Sequence, residues 1–108
     1  MNIVVLVGSS GTGKSYQAMH IAKEKNIKYI IDDGLLIKEN KVLAGRSAKR
    51  EKSKMAAIKR AIFIDEEHRN QVKEVIEKER PNSILILGTS EKMVGSIVKT
   101  LDLGEVSE

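Results

Sequence analysis

Apolar residues along this chain come in short runs that alternate with helical stripes. Residues 2–7 contain Ile3-Val4-Val5-Leu6-Val7, an unbroken and mostly β-branched run of the kind a strand covered on both faces carries. Over residues 16–25 the period changes to that of a helix, with Ala18, Ile21 and Ala22 on one stripe. Lys23 and Lys25 suit the negative end of that helix, and Asn26 suits a left-handed cap. A second strand follows at residues 27–32, ending in Asp32-Asp33-Gly34. Two apolar stretches then flank Glu39-Asn40 and predict a β-hairpin insertion at about 35–44. Residues 48–63 read as a helix with Met55, Ile58 and Ile62 as its stripe. The next helix opens at Asp65-Glu66-Glu67-His68, turns Val72, Val75 and Ile76 inward and stops at Arg80-Pro81-Asn82. A third buried strand at 83–88 leads through Thr89 to Ser90, which can cap a final helix with Met93, Val94, Ile97, Val98 and Leu101 on its buried face. The pattern predicts an α/β fold with a mainly parallel sheet built from residues 2–7, 27–32 and 83–88, and helices on both faces.

Composition narrows this picture. At 108 residues the expectation is one domain, residues 1–108. With one Phe, two Tyr and no Trp, its core must be aliphatic. No run approaches the roughly 20 apolar residues a membrane span needs. The start, Met1-Asn2-Ile3, lacks the basic region of a signal peptide. The absence of Cys fits a reducing compartment, so the expected location is cytoplasmic, with no membrane partner. The net charge of +4 is concentrated in residues 46–60, where seven basic residues stand against Glu51 alone. The basicity therefore belongs to a segment and not to the whole surface.

The candidate chemistry lies between the first strand and the first helix. Gly8-Ser9-Ser10-Gly11-Thr12-Gly13-Lys14-Ser15 has the spacing Gly, four residues, Gly-Lys-Ser. Gly8, Gly11 and Gly13 permit close backbone approach to a polyphosphate. Successive N–H groups then form an anion nest, to which the new helix adds its positive end. Lys14 would reach the β- and γ-phosphates, the Ser15 hydroxyl would ligate Mg²⁺, and Tyr16 begins the helix beside them. In its strand–loop–helix setting this stretch resembles the P-loop nucleotide-binding superfamily. The resemblance implies a three-layer P-loop NTPase-like fold. The chain is short for such a domain, and the tail Gly104-Glu105-Val106-Ser107-Glu108 has no clear terminal element, so a truncated, N-terminal fragment of a longer protein is expected.

A metal-holding carboxylate is expected at the carboxyl end of a second buried strand. Two stretches compete. One is Asp32-Asp33, with Asp32 on the metal and Asp33 in a catalytic role beside Lys14. The other is Ala61-Ile62-Phe63-Ile64-Asp65-Glu66, which has the outline of a Walker B strand, with Asp65 and Glu66 as alternative metal residues. The local signals favour the first, because Lys59-Arg60 is a poor turn and Ile62 continues a helical stripe. Acidic residues at 65–67 are also what a helix start attracts, and His68 then reads as a surface helix residue.

The loop followed by Tyr29-Ile30-Ile31-Asp32-Asp33 is also similar to the HPr kinase and phosphoenolpyruvate carboxykinase group. In that group the loop holds the nucleotide and one aspartate of a pair serves the metal. That likeness implies nucleotide contact at Lys14 and Ser15 and a metal role within Asp32-Asp33. It stops near residue 45 and implies no particular acceptor.

Residues 46–60 read first as a solvated face and second as an arm bringing Arg46, Lys49 or Arg50 to the phosphates. No aromatic residue interleaves with the basic ones up to Arg60, so nucleic-acid binding by base stacking is not indicated. Thr89, at a strand end, is a candidate γ-phosphate contact, and His20 reads as structural or exposed. The expected function is Mg-dependent binding of a nucleoside triphosphate, with hydrolysis or phosphoryl transfer to an unidentified acceptor. ATP is the default over GTP, since no guanine-selective Asn-Lys-x-Asp string occurs. The alternative is a non-catalytic nucleotide-sensing or nucleic-acid-interacting module.

Overall fold

The computed structural model describes residues 1–8 and 14–106, with only the backbone of residues 14 and 15. The elements run β1 (Asn2–Val7), α1 (Lys14–Glu24), β2 (Tyr29–Asp32), β3 (Leu35–Lys38) and β4 (Lys41–Gly45). A 3₁₀ turn (Ala48–Arg50), α2 (Lys54–Ala61), α3 (Glu66–Glu79), β5 (Ser83–Gly88) and α4 (Glu91–Thr100) follow. The sheet has five strands in the order β1-β5-β2-β3-β4. β1, β5 and β2 are parallel, while β3 and β4 are antiparallel additions. This is the expected small α/β fold with a mostly parallel sheet and a hairpin at 35–44.

Each face of the sheet has its own core, as strand alternation requires. On one face Val4, Leu85 and Leu87 pack against Ala18, Ala22 and Ile27, so α1 covers it. On the other, Ile3, Ile31, Ile84 and Ile86 pack against Val72 and Ile76 of α3 and Val94, Ile97 and Val98 of α4. Among the described residues no helix is long and apolar enough to cross a membrane.

The turns carry the main differences from the sequence reading. Asp33 and Gly34 both have positive φ, +56° and +85°, and close a two-residue loop that pairs β2 with β3. Asp-Gly with φ positive at both positions is the favoured type I′ hairpin connection. Glu39 (φ 47°) and Asn40 (φ 72°) make a second such loop between β3 and β4. The expected hairpin is therefore the outer half of a three-strand meander, continuous with β2.

The single helix expected over 48–63 is not one helix. Ser47 caps the 3₁₀ turn, with its side chain accepting from Lys49 N–H, and Ser53 caps α2 by accepting from Ala56 N–H. Its expected inward stripe is also corrected, since Met55 and Ile58 are exposed. Asn26 (φ 57°) and Arg80 (φ 48°) adopt the left-handed conformation that ends α1 and α3, and the Ser90 side chain caps α4 by accepting from Met93 N–H.

Candidate nucleotide site

The parallel strands end within one residue of one another. Val7 is in register with Gly88, and Gly8 N–H donates to the Gly88 carbonyl at 3.1 Å, carrying the β1–β5 ladder one step further. On the other side of β5, Ile31 is in register with Ile86, which sets Asp32 level with Leu87. Gly88 is required by packing, because a Cβ there would meet Val94 Cγ1 at 2.6 Å. Thr89 is exposed next to it, and its N–H and hydroxyl both point to Met93 Sδ at 3.4 Å.

Helix α1 begins at Lys14, after the loop that follows β1, and packs Ala18 and Ala22 on the Val4, Leu85 and Leu87 face. The first N–H groups of any helix are unpaired within it and carry its positive end. Ser9, Ser10, Gly11, Thr12 and Gly13 lie outside the described residues, as do the side chains of Lys14 and Ser15. Tyr16 is exposed in the first turn of α1, its ring edge-on to exposed His20 at 5.1 Å between centroids.

The two aspartates that the sequence pairs are given different surroundings. Ile30 packs with the α1-side cluster, and Asp32, two residues on, shares its face. Asp32 therefore lies on the side of the sheet where α1 starts. Asp33 sits in the turn. Its carboxylate Oδ2 accepts from Ser47 Oγ at 3.0 Å, and its carbonyl accepts from Ala48 N–H at 2.8 Å. These bonds tether the start of the basic segment to the edge of the site.

The alternative metal pair is placed elsewhere. Residues 61–64 form no strand, because Ala61 ends α2, Ile62 caps it and Phe63 turns with φ 61°. Asp65 is the N-cap of α3, accepting from His68 N–H at 3.0 Å. That bond chiefly holds the Asp65 carboxyl below its ordinary range. Glu66 sits in the first turn of α3, where a negative charge is favoured by the helix dipole. Among the described residues no group of three or more His, Cys, Asp or Glu side chains could hold a metal alone. Mg²⁺ bound with a triphosphate needs no such cluster, since one or two protein oxygens, the phosphates and water complete its shell.

His68, expected at the surface, is buried. Its ring stacks on Phe63 at 4.7 Å. Nε2 lies 2.8 Å from the Gly34 carbonyl and 3.1 Å from Arg46 N–H, so one tautomer donates to the first and the other accepts from the second. Either way the ring fastens α3 to the Asp33-Gly34 turn and to the exit of β4. Burial holds its pKa below the ordinary value against the opposing Gly34 carbonyl, and the Arg60 charge lowers it further. Protonation is thus resisted in the fold but free in the unfolded chain. The contribution of His68 to stability is whole above pH 6.5 and is lost as the pH falls below it, at up to about 1.4 kcal/mol per pH unit. Urea unfolding at pH 7.5 and 5.5 is expected to show this loss, with a flatter profile between those values in His68→Gln.

A family model described as ATPase family associated with various cellular activities (AAA) matches residues 4–87. The chain belongs to the AAA family. The match begins within β1 and ends within β5, so it spans the glycine loop, α1 and both aspartates. Nucleotide binding and ATPase-type activity in general follow from AAA membership, as does a place in the P-loop NTPase superfamily. The match does not extend to the HPr kinase and phosphoenolpyruvate carboxykinase group, and that likeness gains no support. No curated protein and no solved structure matches the chain significantly.

Proposed function

We propose that this AAA chain binds Mg-ATP at the carboxyl edge of β1, β5 and β2 and hydrolyses it or passes its terminal phosphoryl group on. The observation that carries the reading is that β1, β5 and β2 end within one residue of one another, Val7 level with Gly88 and Asp32 level with Leu87, with α1 following β1 in the chain. Backbone N–H groups of residues 8–13 would wrap the β-phosphate, and Lys14 would neutralise charge on the transferring group. Ser15 and Asp32 supply hard oxygen donors of the kind Mg²⁺ takes, and Asp32 lies on the face that α1 covers. When bound, the ion would bridge phosphate oxygens and offset their charge. Thr89, exposed just after β5, which lies between the other two strands, would contact the γ-phosphate in this reading. Asp33 is engaged with Ser47, so its role in this reading is to hold the basic segment at the site's edge.

The test is a titration of Mg-ATP and Mg-GTP followed by a turnover assay on the same samples, with Asp32→Asn and Asp33→Asn alongside the unaltered protein. ATP is expected to bind and turn over. Asp32→Asn is expected to cut turnover by roughly 10²-fold and raise the Mg²⁺ concentration needed, in keeping with loss of one preorganised charge contact. Asp33→Asn should leave the Mg²⁺ requirement where it was. An unchanged Mg²⁺ requirement in Asp32→Asn would remove that residue from the metal site. ATP binding without any turnover would instead favour the sensing alternative.

A further inference from the structure

A cavity of about 510 Å³ opens beside the Asp33-Gly34 turn, within the size range of small-molecule sites. Arg46, Arg50 and Arg60 line it together with Ser47 and Glu51, and Leu35 and Val42 give it an apolar side. Its charge is unbalanced. Glu51 accepts from Arg60 Nε at 2.9 Å, while Arg46 and Arg50 pair with no carboxylate among the described residues. Arg60 Nη1 is shielded from solvent and has no hydrogen-bond acceptor among those residues, an arrangement that costs free energy until an acceptor arrives. These arginines are not on a free arm. Ser47 and Ala48 are bonded to Asp33, and Arg60 Cγ lies 3.4 Å from where a Gly34 Cβ would be. Three arginines thereby line one concave place, a residue type suited to the forked recognition of phosphate oxygens.

We propose that this cavity is a second anion site of the protein, taking the phosphate group of a small phosphorylated molecule whose apolar part rests on Leu35 and Val42. No aromatic residue lines it, so a stacked nucleobase is not its ligand. Ser47 lines the cavity and donates to the Asp33 carboxylate, which gives an occupant a direct route to the edge of the nucleotide site. That coupling rests on the Mg-ATP reading, whereas binding in the cavity does not.

The test uses the isotope-labelled full chain and inorganic pyrophosphate as probe, followed by amide NMR. Pyrophosphate can also enter the glycine loop, so the titration is run on Lys14→Ala at ionic strength balanced with chloride. Saturable shifts are expected at Gly45, Arg46 and Ser47. The double variant Arg46→Gln/Arg50→Gln, altered at two exposed positions, should weaken that binding at least tenfold. In a background that retains Lys14, the same pair should leave ATP affinity unchanged. Shifts confined to residues 8–16, shifts no larger than chloride produces, or binding indifferent to the double variant would overturn the proposal. So would preferential, salt-steep binding of an oligonucleotide at these residues. If ATP fails to bind the unaltered chain while pyrophosphate still saturates the cavity, the nucleotide reading falls and the cavity site stands.

Discussion

Lys14→Ala is expected to lower ATP turnover by on the order of 10²–10³-fold, the effect of deleting one preorganised charge aimed at a transferring group. The fold should not suffer. Lys14 is the first residue of α1, where a cation opposes the positive end of the helix dipole. Removing it should leave the unliganded protein as stable as before, or more stable by about 0.3–1 kcal/mol. Nucleotide should then no longer raise the melting temperature, because that rise depends on binding to the folded state alone. Thermal melts with and without Mg-ATP, run beside the turnover assay, check both halves. A Lys14→Ala protein that still melts higher with Mg-ATP and still turns over would remove the glycine loop from the reaction.

The largest expected effect on stability is at Gly34 and Gly45, which face each other where β3 meets the end of β4. Their φ angles are +85° and +102°. A Cβ on Gly34 would land on the Arg46 carbonyl oxygen, and one on Gly45 on the Gly34 carbonyl oxygen. Both obstacles are backbone, so no side chain can swing aside. Gly34→Ala or Gly45→Ala should therefore combine left-handed strain with a forced opening of the strand pair, costing about 2–4 kcal/mol. That is a large share of the roughly 5–15 kcal/mol by which domains are stable. Gly95→Ala is the contrast. It lies inside α4 with nothing within 4 Å of a Cβ, and should stabilise by about 0.4–1 kcal/mol. Urea midpoints of the three variants measure the difference, and equal midpoints would show that the turn tolerates side chains.

Local signals account for what could be read without the structure. Ile3 to Val7 and Ile84 to Leu87 are apolar on both faces and both form strands, β5 in the interior of the sheet and β1 at the edge of its described part. Ser90, Asn26 and the acidic start of α3 are cap chemistry, and each acts within a few residues of itself. Asp33-Gly34 was equally local, being the preferred pair for a two-residue hairpin. Read as the acidic end of a strand beside a nucleotide, the same pair does not announce that β2 turns directly into β3. Ser47 and Ser53 likewise marked breaks in what looked like one helix. His68 is another matter. Nothing near it in sequence predicts burial, since its partners Gly34, in the β2–β3 turn, and Arg46, just after β4, reach it only through the tertiary fold. The cavity has the same origin, because Arg46 and Arg60 are brought together by a turn that holds no charge pattern of its own.

The order of strands has a bearing on how the molecule comes together. β2, β3 and β4 are joined by two-residue loops and can zip locally, whereas β1 finds its described partner only in β5, with Asn2 opposite Ser83. Closing so long a stretch of backbone is slow and entropically demanding, so β1 should be fastened late. The strand that delivers the phosphate loop is then the keystone of assembly. The protein can grip a nucleotide only once nearly every other part is already in place.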